Sequence, residues 1–254
     1  MIIMSGMIGA GKSQLTKILS EHLGTEPFYE PVEDNPILPL FYADPDRYAF
    51  LLQIYFLNKR FASIKKAMAH DNNVLDRSIY EDSLFFHMNA EMGRATSQEV
   101  DVYDSLLDNM MEELPYAAHK KAPDLLIHID VDYDTVIKHI KMRGRDYEQV
   151  DHDPKLKEYY ENLIAHYDPW FKDYDASEKM VINGNRYDFV NNMDDRRCVL
   201  NAIDGKLLEL GKISKEDVKE VLDHLDTDHS GQIDFEEFSQ LIKDVLAAMI
   251  EEDN

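Results

Sequence analysis

The sequence predicts an α/β chain, with a parallel sheet covered by helices on both faces and a small helical segment behind it. Three observations predict this class. Short apolar runs such as PDLLIHID, 123–130, alternate with longer stretches of helical period. A glycine-rich loop stands between the first apolar run and the first helix. Acid then accumulates abruptly: residues 212–254 hold 13 Asp or Glu against 4 Lys, and the rest of the formal −23 is spread over the first 211 residues. That shift sets a boundary at Gly211, giving domains 1–211 and 212–254.

The elements follow in order. Residues 1–5 read as a buried strand, and the helix from Lys12 to Leu23 ends at Gly24. EPFYE reads as a second strand delivering Glu30. NPILPLFYADP reads as broken by Pro36, Pro39 and Pro45. A long helix spans Arg47 to Ala69, and NVLD is a strand ending at Asp76. Helices are expected at 79–90 and 97–114. PDLLIHID is the clearest strand, and YDTVIKHIKMRG is a helix with a basic end. A helix from Pro154 to Tyr167 has Pro169 and Trp170 behind it. KMVIN is the last strand, and 191–210 the last helix.

With 254 residues, 44% of them hydrophobic, the chain can bury one large core plus an appendage. Cys198 is the single cysteine, so no disulfide can form within the chain, and a reducing, cytoplasmic setting is expected. No basic stretch precedes a long apolar run at the N-terminus, so no cleaved leader is expected. No apolar run reaches membrane-spanning length. A surface at −23 repels nucleic acid and anionic membranes, which removes both from the expected partners. An anion site must therefore be built from local basic residues.

Gly6-Met7-Ile8-Gly9-Ala10-Gly11-Lys12-Ser13 fits G-x-x-x-x-G-K-[ST] completely and lies between a strand and a helix. The glycines let backbone N–H groups turn inward around phosphates, and the helix adds its positive end. Lys12 would reach the β- and γ-phosphates of ATP, and the Ser13 hydroxyl would meet Mg²⁺. The expected nucleotide set is Gly6, Gly9, Ala10, Gly11, Lys12, Ser13 and Gln14.

In doubly wound folds ligands sit at the carboxyl ends of strands. Glu30, Asp76 and Arg77 fall there. A carboxylate near the γ-phosphate can take a proton from an attacking hydroxyl, Asp76 suits the Mg²⁺ shell, and Arg77 suits a transferring phosphoryl group. The plainer alternatives are a loop acid, a helix cap and a surface ion pair. KMRGRDYE gathers Lys141, Arg143 and Arg145 in an acidic chain, as a lid closing over ATP would; basic residues also simply favour helix C-termini. Gln53 and Arg60 lie seven residues apart on one helix, nearly on one face. Gln53 reads either as an amide for a nucleobase edge or as a surface glutamine.

The segments GMIGAGKSQL, YEPVEDNPILPLFY, FLLQIYFLNKRF, DRSIYED and KMRGRDYE together resemble the deoxyribonucleoside kinase family, in particular its bacterial deoxyadenosine/deoxyguanosine kinase branch. The resemblance runs from Met1 to about Gly211. It implies a P-loop kinase fold with a five-stranded parallel sheet, a homodimer, and ATP-dependent phosphorylation of a deoxyribonucleoside 5′-hydroxyl in nucleotide salvage. Deoxyadenosine or deoxyguanosine is the expected substrate, with deoxycytidine behind them. By resemblance, Glu30 is the general base, Arg77 stabilises the phosphoryl group, and Asp76 lies near Mg²⁺. Tyr42 and Glu148 look like the pair on the 3′-hydroxyl. Gln53 looks like the amide on the base, and Arg60 with Asp82 like the polar pair that reads it. Arg143 and Arg145 look like lid arginines. The sequence departs from several relatives at EPVEDN, which lacks an aromatic after the second glutamate, so Phe85 and Phe86 become candidates for base stacking. Tyr147 stands in the lid where some relatives carry a glutamate.

DTDHSGQIDFEE, 226–237, carries the calcium-loop pattern of an EF-hand. Its expected Ca²⁺ ligands are Asp226, Asp228, Ser230, the Gln232 carbonyl, Asp234 and Glu237, with Gly231 at the sharp turn. SKEDVKEVLDHL and FEEFSQLIKDVLAAMI are the flanking helices. Only one complete loop is present, so this hand pairs with its copy, docks a protein partner, or binds Ca²⁺ weakly. Simple metal binding is favoured over calcium control of catalysis. Rival readings are a kinase for thymidine or another small acceptor, and a calcium-responsive nucleotide-binding protein with a vestigial kinase site.

Overall fold

The computed structural model describes residues 1–30, 32, 35–117 and 123–214. The calcium loop and its flanking helices lie outside the described residues. A first compact unit spans Met1–Lys179, and the described residues from Met180 to Ser214 belong to a second.

Five strands form one sheet in the order β2-β3-β1-β4-β5: β1 (Ile2–Gly6), β2 (Pro27–Phe28), β3 (Val74–Asp76), β4 (Leu125–Asp130) and β5 (Glu178–Asn183). β1 pairs in parallel with β3 and β4, with Ile3 opposite both Leu75 and Leu126. Every residue of β1 is buried, as expected for a parallel strand covered on both faces.

Eight α-helices are described: α1 (Lys12–Leu23), α2 (Leu38–Ala43), α3 (Pro45–Ala67), α4 (Ile79–Glu91), α5 (Ser97–Ala117), α6 (Tyr133–Arg143), α7 (Lys155–Asp173) and α8 (Met193–Glu209). Helix α1 has the expected bounds, with Gly24 left-handed at its C-cap. One core cluster joins Ile3, Leu75 and Leu126 of the sheet to Leu57 and Ile64 of α3, Phe86 of α4 and Tyr103 of α5. Among the described residues, no helix is long and apolar enough to cross a membrane.

Three expectations are corrected. The prolines of 36–45 start helices as well as breaking the chain. Pro39 lies in the first turn of α2 and Pro45 in that of α3, where a missing N–H costs no helix bond. The second strand is only two residues long, so Glu30 lies in the chain beyond it. Helix α7 does not stop before Pro169 but runs through it to Asp173. A proline inside a helix costs roughly 3 kcal/mol. Packing of Trp170 and Phe171 on the core offsets this, with Trp170 Nε1 donating to the Tyr80 carbonyl at 3.2 Å.

Candidate active site

The glycine-rich loop leaves β1 at its carboxyl end and turns directly into α1. Gly6, Gly9 and Gly11 all have positive φ, at 140°, 83° and 97°. A Cβ on Gly6 would lie 2.7 Å from the Ile129 carbonyl oxygen, so only glycine lets β1 and β4 stay paired there. No side chain caps α1 at Gly11, so the N–H groups of Lys12 and Ser13 at the start of that helix are open to an anion. Ala10 turns its own N–H back to the Met7 carbonyl at 3.0 Å, and Gln14 donates its N–H to Gly11. Lys12 is buried and folds back, with Nζ donating to the carbonyls of Gly6 at 2.8 Å and Met7 at 2.9 Å. Burial first, and Arg77 second, lower its pKa to about 8 against the pull of Asp76, Glu81 and Glu30.

Ser13 Oγ donates a short hydrogen bond to Asp76 Oδ2. Asp76 Oδ1 is buried and has no hydrogen-bond partner among the described residues. Burial raises the Asp76 carboxyl, with Lys12 opposing. An orphaned carboxylate oxygen beside a serine hydroxyl, under a phosphate loop, fits a Mg²⁺ that keeps its remaining ligands for phosphate and water.

Glu30 bridges two arginines. Its Oε1 lies 2.9 Å from Arg60 Nη2 and 3.4 Å from Arg77 Nε. Burial works to raise the Glu30 carboxyl, but Arg77, Arg60 and Lys12 outweigh it and hold the group at about 2. Arg60 also donates Nε to Asp82 Oδ2 at 2.5 Å. Burial lifts Asp82 to about 6 despite that partner. Arg60 and Asp82, expected as a polar pair, are thus joined directly, and both are buried. Gln53 is buried as well, and its Oε1 has no partner among the described residues, which disposes of the surface-glutamine alternative. A buried amide oxygen without a partner is the state a ligand donor would relieve.

Arg77 is not a surface ion pair: it is 3% exposed and adopts φ 71°, a left-handed backbone that a non-glycine residue rarely takes. Its guanidinium lies 4.5 Å over the Phe85 ring. Phe85 is buried between that guanidinium and the Tyr167 ring, whose centroid is 6.4 Å away. Phe86 is corrected: it is fully buried in the core against Tyr103 and Phe50, at 4.7 and 5.9 Å, and stacks on no ligand. The two phenylalanines are adjacent in sequence, but α4 sends one to the site and one to the core.

At its carboxyl end, α6 stops at Gly144 in the left-handed conformation. Arg143 and Arg145 both turn to Glu148, the former through a short hydrogen bond and the latter at 3.4 Å. Glu148 is buried, on a 3-10 turn of Asp146–Glu148. Tyr42 faces the same turn, its ring 5.1 Å from Tyr147. Its phenol is raised well above the usual value by burial, then by Tyr160 and Glu148.

Sequence reasoning missed four residues. Glu81 is fully buried and accepts from the Gly6 N–H at 3.2 Å and from Arg77 Nη1 at 3.1 Å. Tyr167 hydrogen bonds with Glu81, Gly6 and Arg77. His139 contacts the Gly9 carbonyl at 2.8 Å through Nδ1, and Tyr103 is a buried phenol, charged-side neighbour to Asp82 and Arg60, with no partner for its hydroxyl among the described residues. Glu81 was within reach, since it lies one helical turn after Arg77. Nothing local signals the other three.

The fold and site together define a nucleotide-dependent phosphotransferase, with a phosphate loop, a buried carboxylate and converging arginines. Residues 2–209 match the deoxynucleoside kinase family, and the chain belongs to it. A deoxyguanosine kinase of Lactobacillus acidophilus is 63% identical over 84% of this chain and 92% of its own length. A deoxyadenosine kinase of the same organism is 54% identical, over 84% of this chain and 98% of its own. The structure of deoxyadenosine kinase from M. mycoides with bound dATP superposes with a TM-score of 0.66 at 29% identity, covering 80% of this chain and 98% of that one. Residues 217–245 match the EF hand domain. The chain is an ATP-dependent deoxynucleoside kinase carrying an EF-hand match behind its kinase region.

Proposed function

We propose that the chain phosphorylates the 5′-hydroxyl of a purine deoxyribonucleoside, deoxyguanosine ahead of deoxyadenosine, with Glu30 as the general base. The observation that carries this is the position of Glu30. One carboxylate oxygen joins Arg77, on the phosphate-loop side, to Arg60, on the base-reading side. A hydroxyl placed there meets the base and the phosphoryl-stabilising arginine together.

At a pKa of about 2, Glu30 is ionised throughout the neutral range but is a weak base. That suffices where the transition state is loose and the hydroxyl proton leaves late. When Arg77 turns its charge to the phosphoryl group, Glu30 loses a depressing neighbour and its basicity rises as the proton is released. Lys12 exchanges two loop carbonyls for phosphate oxygens. Arg143 and Arg145 leave Glu148 for the phosphates as the lid closes, which frees Glu148 to join Tyr42 on the 3′-hydroxyl. Ser13 and Asp76 would hold Mg²⁺, which neutralises phosphate charge when bound.

Arg60, Asp82 and Gln53 supply donors and an acceptor to a purine edge, with Phe85 as the stacking face. Arginine is suited to the O6 and N7 acceptors of guanine. The order of identity, 63% to a deoxyguanosine kinase and 54% to a deoxyadenosine kinase, supports guanine first. The test is transfer from Mg·ATP to deoxyguanosine, deoxyadenosine, deoxycytidine and thymidine, in the native chain and in Glu30→Gln. The expected result is purine preference, with kcat down roughly 10²- to 10⁴-fold in the variant and KM little changed. Normal turnover of Glu30→Gln would remove Glu30 from the reaction.

The match over 217–245 and the ligand spacing of 226–237 support a second activity, binding of one Ca²⁺ through Asp226, Asp228, Ser230, Gln232, Asp234 and Glu237. Calorimetric titration should find one site, lost in Glu237→Gln, and a kinase rate equal in calcium and in chelator. A calcium-dependent rate would make the tail a regulator. Exposed Leu51 on α3 and Val102 on α5 support a homodimer through the long helices, which sedimentation would test. A reducing, cytoplasmic setting accords with the single cysteine.

A further inference from the structure

Glu81 presents a physical problem. It is a fully buried carboxylate next to a loop that must take up a polyphosphate. Its charge opposes phosphate binding, so its place must serve another purpose. One oxygen, Oε1, accepts from the Gly6 N–H at 3.2 Å, from Arg77 Nη1 at 3.1 Å and from the Tyr167 hydroxyl at 2.7 Å. All three partners belong to the phosphate loop or to the arginine beside it, or bridge them.

Tyr167 completes the arrangement from α7. Its hydroxyl accepts from Arg77 Nη1 at 2.9 Å and shares its single proton between Glu81 Oε1 and the Gly6 carbonyl, 2.8 Å away. The Gly6 carbonyl therefore has three donors about it: Lys12 Nζ at 2.8 Å, the Tyr167 hydroxyl, and Arg77 Nη2 at 3.4 Å. A carbonyl oxygen has two lone pairs. Lys12 can leave for a phosphate without orphaning that buried carbonyl, because Tyr167 remains.

Arg77 is held the same way. Its Nη1 is anchored by Glu81 and Tyr167, while Nε and Nη2 face Glu30 and the loop. The edge turned toward the reaction is set by the edge turned away from it. The left-handed backbone of Arg77 also needs surroundings that over-determine it.

We propose that Tyr167 and Glu81 are positioning residues that clamp the Nη1 edge of Arg77 and the Gly6 peptide, so that Arg77 and Lys12 are aligned on the transferring phosphoryl group. This rests on the phosphoryl role of Arg77. Neither residue touches substrate, and both act through Arg77 and the loop.

The test is a double-mutant cycle of Tyr167→Phe and Arg77→Gln, with steady-state kinetics in both substrates. Phenylalanine fills the same space, so the single variant should fold. Its kcat should fall roughly 10- to 100-fold, as expected when a reacting group is misplaced. Its KM for the deoxynucleoside should stay within about twofold, because Arg60, Asp82 and Gln53 are untouched. In the Arg77→Gln background the same change should cost clearly less than in the native chain, leaving only the part carried by the Gly6 carbonyl and Lys12. Glu81→Gln, which keeps the shape and removes the charge, should follow Tyr167→Phe. The proposal is overturned if Tyr167→Phe keeps its kcat, if its loss adds fully to that of Arg77→Gln, or if the deoxynucleoside KM rises as much as kcat falls. An unaltered kcat in Arg77→Gln alone would instead remove Arg77 from the phosphoryl step, and the clamp with it.

Discussion

Arg60 Nη2 lies 2.9 Å from Glu30 Oε1 while the same guanidinium holds Asp82 through Nε at 2.5 Å. One buried cation thus joins the side chain that would read the base to the carboxylate that would take the proton. On the proposed roles, base recognition and catalysis would share a group, so a change at one end would be felt at the other.

The first prediction follows from that sharing. Arg60→Met leaves the carboxylate of Asp82 buried and unpaired and frees Glu30 from one of its two arginines. Breaking a buried ion pair from one side costs about 3–5 kcal/mol, to be read by urea unfolding. Asp82→Asn should be far milder, because burial already lifts that carboxyl to about 6 and the amide carries no charge to desolvate. Both should erode discrimination among bases in kcat/KM.

Lys12 is expected to set an alkaline limit. Its pKa in the ligand-free protein is about 8, lowered by burial and Arg77. The profile of kcat/KM for ATP, which reports the free enzyme, should fall above about pH 8. The profile of kcat should fall only at higher pH, because bound phosphate stabilises the ammonium. A kcat/KM for ATP flat to pH 10 would contradict this.

His128 gives a stability signature on the acid side. It is buried on β4, with Nδ1 2.9 Å from Ser5 Oγ and its ring 5.0 Å from that of Phe171. Burial lowers its pKa from 6.5 to about 4. The unfolded chain therefore binds a proton between those values that the folded chain does not. The contribution is fully present above pH 6.5 and is lost as the pH falls toward 4. His128→Gln should flatten unfolding free energy against pH in that window.

Gly6→Ala tests the loop. The added Cβ would meet the Ile129 carbonyl at 2.7 Å, in a backbone at φ 140°. Since Gly6 and Ile129 are paired across β1 and β4, neither backbone can yield cheaply. A loss of roughly 1–3 kcal/mol is expected, with ATP binding lost by fluorescence titration in the folded fraction.

Much of the site was legible because its residues are close in sequence. The phosphate loop needs glycines, a lysine and a serine at set spacing on one turn, and that spacing is visible without a fold. Asp76 and Arg77 could be placed because they end an apolar run at the edge where parallel sheets bind ligands. Phe85 and Phe86 could not be told apart, since one helical step separates a ring under Arg77 from a ring in the core. Nor could Arg143 and Arg145 be foreseen on Glu148, because that contact depends on Gly144 ending α6 and turning the chain back.

The sequence by itself determined the order of strands and helices, the phosphate loop, the family and the calcium-loop pattern. Each is written in local spacing, where backbone geometry leaves few choices. Only the tertiary structure decided that Tyr167 reaches across 161 residues to the Gly6 carbonyl, and that Pro169 sits inside α7 rather than after it. Only the fold decided that Glu30 lies between Arg60 and Arg77. Such contacts depend on how separate elements pack, and burial makes them strong once water is excluded.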